Sequence, residues 1–349
     1  GCLKAYADKM LPELADIRLF KDPARLNEAF RREVPVVAAF SNYMWNHNLS
    51  SRFAQKIKEA YPETLTVFGG PDYPLDPDDQ ARWHEAHPWV DCYLQGEGEH
   101  PFYRYLRYQL NPFDMNGPMF THITPELIAD LDDIPSPYLN NSLDEFLADP
   151  RIVPAMETTR GCPFTCTFCV DGAVTKKVRR FSAGRLVEEA RYIAARTKSK
   201  SLVLADANFG MYEEDVAFAE GLAKVREDTG WPHYIIASTG KNNKERVIEV
   251  ARILRGSLRV AAALQSTDAE VLKKVRRQNI AASQLEDMAL ALADNTSSSY
   301  AEFILGLPGD TRTKHTQGVL RAVDLGFNQI RMHQLTMLAG SEMDTPKQR

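Results

Sequence analysis

The chain has 349 residues, 44% of them apolar and 26% charged, with a formal net charge of −5. That length can build two ordinary cores, so two domains are expected. The mild acidity argues against a general nucleic-acid or membrane-surface binder, and no apolar run approaches the roughly 20 residues of a membrane helix. The five cysteines, an odd count behind no signal-peptide pattern, provide no disulfide framework and suit a reducing cytoplasm.

The chain opens on Gly1, and Leu3, Ala7, Met10 and Leu11 already repeat at helical spacing, so it reads as an excised piece of something longer. Short strand and helix signals then alternate. Asp16 to Phe20 predicts a strand, Leu26, Ala29 and Phe30 predict a helix, and Val34 to Phe40 is a continuous apolar run of the kind buried on both faces of a parallel sheet. Phe53, Ile57, Ala60 and Tyr61 predict a helix, Leu65 to Phe68 the next strand, Val90 to Leu94 the last strand of this segment, and Tyr103 to Leu110 a closing helix.

Such alternation predicts a doubly wound, Rossmann-like α/β domain over residues 1–110. In such sheets ligands sit beyond the carboxyl ends of the strands. Those ends carry Ser41-Asn42-Tyr43-Met44-Trp45-Asn46, Gly69-Gly70-Pro71 and Gly96-Glu97-Gly98-Glu99. Glycines there let backbone N–H groups approach a ligand, although a glycine pair after a strand is more often only a turn.

From 111 to 150 the periodicity stops. Pro112, Pro118, Pro125, Pro135, Pro137 and Pro150 mark a connector. Residues 151–349 then alternate with regularity. Strand-like runs are Ile152 to Met156, Ser201 to Ala205, Tyr234 to Ala237, Arg259 to Leu264, Tyr300 to Leu305 and Gln329 to Leu335. Helical stripes between them include Leu186, Val187, Ala190 and Ile193; Val247, Ile248, Ala251 and Leu254; and Leu285, Met288, Ala289 and Leu292. Six repeats predict a partial (β/α) barrel with its chemistry at the carboxyl ends of the strands.

Directly after the first of those runs stands Arg160-Gly161-Cys162-Pro163-Phe164-Thr165-Cys166-Thr167-Phe168-Cys169. Thiolates packed this tightly ask for a metal. A [4Fe-4S] cluster normally takes four cysteines, so three leave one iron open for a non-protein ligand. Structural zinc needs four ligands, and the nearest following histidine, His233, is far along the chain. Cys2 and Cys92 read as buried apolar residues. Two basic runs, Lys176 to Arg180 and Lys273 to Arg277, read as solvated faces.

The Cys-x-x-x-Cys-x-aromatic-Cys loop resembles that of the radical SAM superfamily. The resemblance implies that Cys162, Cys166 and Cys169 ligate a [4Fe-4S] cluster, that its open iron chelates S-adenosylmethionine (SAM), and that Phe168 packs near the adenine. It places groups for the methionyl ammonium at Asp206 and Asn208, whose oxygens accept N–H donors, although Asp and Asn there also suit a helix N-cap turn. Ribose or carboxylate contacts fall at Gln265 and Ser266, and the adenine site at Ile304 and Gly306. Thr239 and Lys241, at the end of the third strand, are expected to face substrate.

The three N-terminal loops are similar to those of the cobalamin-binding domain that precedes this core in a large subgroup. On that likeness Ser41, Trp45, Asn46, Gly69, Gly70, Pro71, Gly96 and Glu97 are the expected cobalamin contacts. The Asp-x-His-x-x-Gly pattern that supplies an axial histidine elsewhere is absent, so the Tyr43 to Trp45 loop is expected to cover the lower face of cobalt. The first strand of that domain is expected upstream of Gly1. A domain that keeps the fold without the cofactor is the plainer alternative.

The implied activity is a cobalamin-dependent radical SAM methyltransferase. In that chemistry a 5'-deoxyadenosyl radical abstracts hydrogen from an unactivated carbon, or a similar inert centre, of a small-molecule, natural-product-like substrate, and methylcobalamin delivers the methyl group. An external donor such as flavodoxin or ferredoxin would supply electrons. No catalytic side chain is needed, which fits the lack of any Ser-His-Asp or Cys-His constellation. Ring rearrangement or cyclisation on the same scaffold, and a non-catalytic iron–sulfur module, remain the alternatives.

Overall fold

The computed structural model describes residues 1–13, 15–110, 121–124, 126–277 and 299–345. The expected helix at Leu285 to Leu292 and the prolines at 112, 118 and 125 lie outside them. The chain divides into two units. One comprises Gly1–Ala129, Asp133–Ser142 and Met337–Arg349, the other Asp130–Asp132 and Leu143–Thr336. The described part of the proline-rich connector is thus shared between both.

The first unit is a four-stranded parallel sheet in chain order: β1 (Val37–Ser41), β2 (Leu65–Gly69), β3 (Cys92–Leu94) and β4 (His122–Ile123). Side chains alternate across it, so both faces are buried. Val67, Cys92, Leu94 and Ile123 pack with Ala7 of α1 (Cys2–Met10) and with Phe102, Tyr105 and Leu106 of α5 (Glu99–Leu110). Phe68 and Tyr93 pack the other way, against Ala54 of α3 (His47–Ala60), Tyr73, and Trp83 of α4 (Pro77–Ala86). Each such fully buried side chain contributes roughly 1.5–3 kcal/mol. Cys92, wholly buried, is a core residue, and burial pushes its thiol up to about 12.

Three expectations change here. Asp16 to Phe20 forms no strand. Its alternation is real, with Ile17 packed on the core, but no neighbouring strand pairs with it and Arg18 is engaged with Asp16 and Glu33. Period two reports which side faces the core, not whether a strand lies alongside. Val34 and Val36 are exposed rather than buried, because pairing begins only at Val37. β4, two residues long, extends the sheet beyond the strand expected to be its last. Helix α2 (Pro23–Arg32) starts where Pro23 follows Asp22, whose side chain accepts the Ala24 N–H at 2.8 Å.

The second unit holds six parallel strands. β5 (Ala155–Met156), β8 (Ser201–Phe209) and β9 (Tyr234–Thr239) form one sheet, and β10 (Val260–Gln265), β11 (Ser299–Leu305) and β12 (Gln329–Gln334) the other. They meet at β9 and β10 through an Ile235 to Leu258 bridge, the Ile235 N–H donating to Ser257 O at 2.8 Å, and the Thr239 hydroxyl donating to Ala261 O at 2.6 Å. Helices α8 (Ala183–Ala194), α9 (Glu213–Thr229) and α10 (Lys244–Ile253) follow in the connections, and Val247 and Ala251 of α10 join Leu264, Phe303 and Ala322 in one core. All six expected strands exist. The first shrinks to Ala155–Met156, while the second runs on through Phe209.

Candidate functional site

An antiparallel pair, β6 (Thr159–Arg160) and β7 (Arg179–Arg180), clamps the base of the cysteine loop, with Thr159 opposite Arg180 and Arg160 opposite Arg179. Within it the Cys162 N–H donates to Thr175 O at 3.2 Å, Cys169 N–H to Cys166 O at 3.1 Å, and Thr167 N–H to Val275 O at 3.2 Å. Gly161 takes φ 93°, and a Cβ there would lie 2.4 Å from Lys177 O, so only glycine permits this entry to the loop.

Cys162 and Cys166 are buried, Cys169 partly so. Each sulfur faces a different neighbour: Asn208 Nδ2 is 3.4 Å from Cys162 Sγ, Arg277 Nη1 3.8 Å from Cys166 Sγ, and Asp171 Oδ2 3.8 Å from Cys169 Sγ. Burial, reinforced by Asp171, pushes the Cys169 thiol up to about 11, with Lys241 opposing. Among the described residues no three His, Cys, Asp or Glu side chains converge as a metal-holding group. All three thiols nevertheless act on one guanidinium, that of Arg277.

Arg277 is the residue that the sequence reading misplaced. In both basic runs the lysines are exposed and one arginine, Arg179 or Arg277, is buried. Arg277 donates to the Ala263 carbonyl of β10 and to Cys166. Burial lowers its guanidinium from the ordinary value, and all three cysteines pull it back. An arginine keeps its charge even so. Val271 and Val275 of the preceding turn are both buried, so the run is not a wholly solvated face.

Asp206 and Asn208 lie inside β8, not beyond it, and their roles separate. Asp206 accepts from Thr158 N (2.9 Å) and Oγ1 (3.1 Å) and from Thr159 N (2.7 Å) and Oγ1 (3.1 Å). Its oxygens hold the corner between β5 and β6, three of the four bonds going to Oδ1 and one to Oδ2. Burial pushes its carboxyl up to about 6 against those four donors. Asn208 is 3% exposed, and its Oδ1 is buried with no hydrogen-bond donor.

Gln265 ends β10 with φ 64°, a left-handed backbone unusual outside glycine, next to a register shift in the strand. Buried Ser266 turns the chain, its N–H donating to Leu264 O at 2.7 Å and its hydroxyl accepting from Asp268 N at 3.2 Å. Ile304 lies within β11 and Gly306 directly follows it at φ 90°. Phe168 is half-buried in the cysteine loop. The buried Thr239 hydroxyl also accepts the Ala261 N–H at 3.1 Å, and Lys241 lies 5.4 Å from the Phe164 ring.

In the first unit Ser41 pairs with Gly69 and Gly69 with Leu94, so the loops bearing Ser41, Trp45 and Asn46, Gly69 to Pro71, and Gly96 and Glu97 emerge side by side. Asn46 Nδ2 donates to Ser41 Oγ at 3.0 Å, and Trp45, 76% exposed, stacks on Tyr43 at 4.5 Å. Wholly buried Asn42, quoted in the loop but not picked as functional, ties the first two loops. Its N–H donates to Gly69 O (2.7 Å), its Nδ2 to Asp72 O (2.8 Å) and to Tyr93 Oη (3.1 Å), and Tyr93 donates to Gly70 O (3.0 Å). At Gly70, φ 142°, a Cβ would stand 2.3 Å from Asn42 O.

Residues 156–317 match the Radical SAM superfamily. A radical SAM domain is what this stretch of the chain resembles. Over 99% of its length it is 30% identical to a cobalamin-dependent radical SAM methyltransferase, TokK, of Streptomyces tokunonensis, and 31% identical to a 2-(S-pantetheinyl)-carbapenam-3-carboxylate methyltransferase of Streptantibioticus cattleyicolor. It covers 54% of each, so the chain spans about half the length of the curated relatives it matches. In fold it resembles the radical SAM methyltransferase TsrM of Kitasatospora setae, with a TM-score of 0.72 at 13% identity, over 98% of this chain and 72% of TsrM. Among the described residues no helix is long and apolar enough to cross a membrane.

Proposed function

We propose that this chain is the cofactor-binding part of a cobalamin-dependent radical SAM methyltransferase acting on an unactivated carbon, or a similar inert centre, of a small-molecule, natural-product-like substrate. The carrying observation is the set of groups around the cysteine loop: three thiols, one buried guanidinium in reach of them, and a buried carboxamide oxygen lacking a donor. Three sulfurs and a fixed positive charge suit an anionic cluster with one uncommitted iron. The two methyltransferases that match nearly the whole chain support the same reading. Its finer layout is then a doubly wound cobalamin domain over 1–110, a connector over 111–150 and a partial (β/α)6 barrel over 151–349.

When bound, the [4Fe-4S] cluster with SAM supplies a 5'-deoxyadenosyl radical for hydrogen abstraction, and cobalamin carries the methyl group to be delivered. Cys162, Cys166 and Cys169 would hold the cluster. Asn208 Oδ1 suits the SAM ammonium, because it is a buried acceptor in need of an N–H. Arg277 offsets the charge of the thiolates and suits a carboxylate beside them. Asp206 holds the loop's entry in place. Phe168, Gln265, Ser266, Ile304 and Gly306 remain the candidates for adenine and ribose. Ser41, Trp45, Asn46, Gly69, Gly70, Pro71, Gly96 and Glu97 would form the cobalamin rim, and the Tyr43 and Trp45 stack beside them would cover the bound group. Electrons would come from a flavodoxin or ferredoxin in a reducing cytoplasm.

Anaerobic purification with cobalamin supplied, followed by an absorption spectrum and iron count, tests this. Intact protein should show corrin bands and bound iron and should form 5'-deoxyadenosine from SAM. Cys166→Ala should lose the iron–sulfur absorption and keep the corrin bands. Intact protein without corrin bands removes the methyl-transfer part, and iron without 5'-deoxyadenosine removes the enzyme.

A further inference from the structure

Two histidines in the first unit meet ring to ring. His47 Nε2 lies 3.2 Å from His87 Nε2. The outer nitrogens of both rings are already assigned by their partners. His47 Nδ1 faces two acceptors, Asn42 Oδ1 at 3.0 Å and Asp72 Oδ2 at 3.3 Å, and His87 Nδ1 faces the Trp83 carbonyl at 2.7 Å. Each Nδ1 therefore carries a hydrogen. A neutral imidazole with its hydrogen on Nδ1 has only a lone pair on Nε2. Two neutral rings would then point lone pairs at each other across 3.2 Å, so the contact requires one additional proton between them.

That proton makes the pair singly positive, and Asp72 supplies the matching negative charge. The other groups facing the pair are near neutral donors or acceptors: the Ser51 hydroxyl, 3.5 Å from His47 Nε2; His84, bonded to Tyr73 Oη at 3.0 Å; His122, bonded to Gln95 Oε1 at 2.9 Å; and the phenol of Tyr93. Burial holds His84, His87 and His122 below the usual imidazole value; at His87 the Trp83 carbonyl opposes it, His47 adds to it, and Asp72 again opposes. His87 also stacks on Trp83 at 4.1 Å, which fixes its ring plane.

The pair sits where it can act on the rim. His47 is the first residue of α3, directly after the loop bearing Ser41, Trp45 and Asn46, Asp72 follows Gly69 to Pro71, and His87 caps the end of α4. We propose that His47 and His87 are positioning residues for cobalamin: one shared proton, balanced by Asp72, locks the first two rim loops together, and its loss loosens them. This rests on the cobalamin reading above. The pair touches no cofactor itself and acts through Asn42 and Asp72.

The test is absorption titration of the anaerobically reconstituted full chain with cyanocobalamin, whose own ligand does not titrate in the range used, between about pH 4.5 and 7.5, because burial moves the loss of the His87 proton below the usual imidazole range. A charge-assisted hydrogen bond of this kind corresponds to at least about a tenfold change in affinity, so wild-type affinity should fall about tenfold as pH rises. His87→Phe, which keeps the stack on Trp83, and His47→Gln should both bind at the weaker level at every pH. A merely structural role would lower affinity equally across the range and leave the pH slope in place, which overturns the proposal. Nitrogen-15 NMR of the cofactor-free protein provides a second readout: one shared Nε2 proton in wild type at the acid end of that range supports it, and two independent neutral rings throughout the range overturn it. Wild type that binds no cobalamin at any pH defeats the cofactor reading and this inference together. Wild type that binds while both variants keep its affinity and pH slope defeats this inference alone.

Discussion

The two regions that carry the proposed cofactors are built to opposite plans. The rim of the first unit is already knitted together: Asn42, Asp72, Tyr93 and His47 saturate one another's hydrogen bonds across two loops, so the cradle exists before any ligand arrives. The cysteine loop is held by backbone bonds at its base, to Thr175 and to Val275, and its sulfurs look to three separate partners. Backbone and neutral polar groups can satisfy each other. Thiols are poor hydrogen-bonding groups that converge only when a metal replaces their protons. A rim that is already hydrogen-bonded lowers the ordering cost of binding a large, rigid ligand.

Removing the fixed cation should widen the contrast most. Arg277→Met leaves the three cysteines without their buried positive neighbour. Iron uptake on reconstitution should drop at least about tenfold, the scale of one charged hydrogen bond, and the cofactor-free thiols should need a higher pH to react with iodoacetamide. Unchanged iron content and an unchanged alkylation profile would mean that Arg277 only packs there. Cyanocobalamin binding should be unaffected, since the residue belongs to the other unit.

The loop's base offers the next effect. Asp206 has its carboxyl raised to about 6 from an ordinary 3.8, so the folded state holds the proton more tightly than the unfolded chain. Stability from this group is therefore greatest below pH 4 and falls as pH rises towards 6, by about 3 kcal/mol in all. Thr159→Val removes a donor to the charged form and should raise that carboxyl further. The variant should lose about 1–3 kcal/mol in urea melts at pH 8 and less at pH 5. An equal loss at both pH values would show that the hydroxyl does not serve the carboxylate.

Smallest is the change at the rim. Tyr93→Phe deletes one hydroxyl between Asn42 and Gly70 and should cost about 1 kcal/mol, read as a few-fold weaker cyanocobalamin affinity with iron content intact. A larger loss would mean that the rim depends on a single bond rather than on the network.

Much of this was legible in the residues. Local periodicity marks the six parallel strands described in the second unit, though not the short β6 and β7 pair, because the strand runs alternate with helices whose apolar stripes repeat at short range. Spacing alone sets Cys162, Cys166 and Cys169 apart as a metal loop, since short-range geometry decides which thiols can share one ion. Asn42 and Arg277 were not readable as site residues. Asparagine in a loop and arginine in a basic run look the same whether buried or solvated.

What the sequence determined by itself is everything carried by near neighbours in the chain: the alternation of strand and helix, the three-thiol loop, and the glycine-rich strand ends. Only the tertiary structure decided that Asp206 is bonded to Thr158 and Thr159 while Asn208 keeps an open acceptor, that Arg277 turns inward to Cys166, and that His47 meets His87 forty residues along the chain. Burial and hydrogen-bond partnership are set by residues distant in sequence, and a side chain's chemistry follows from those partners rather than from its type.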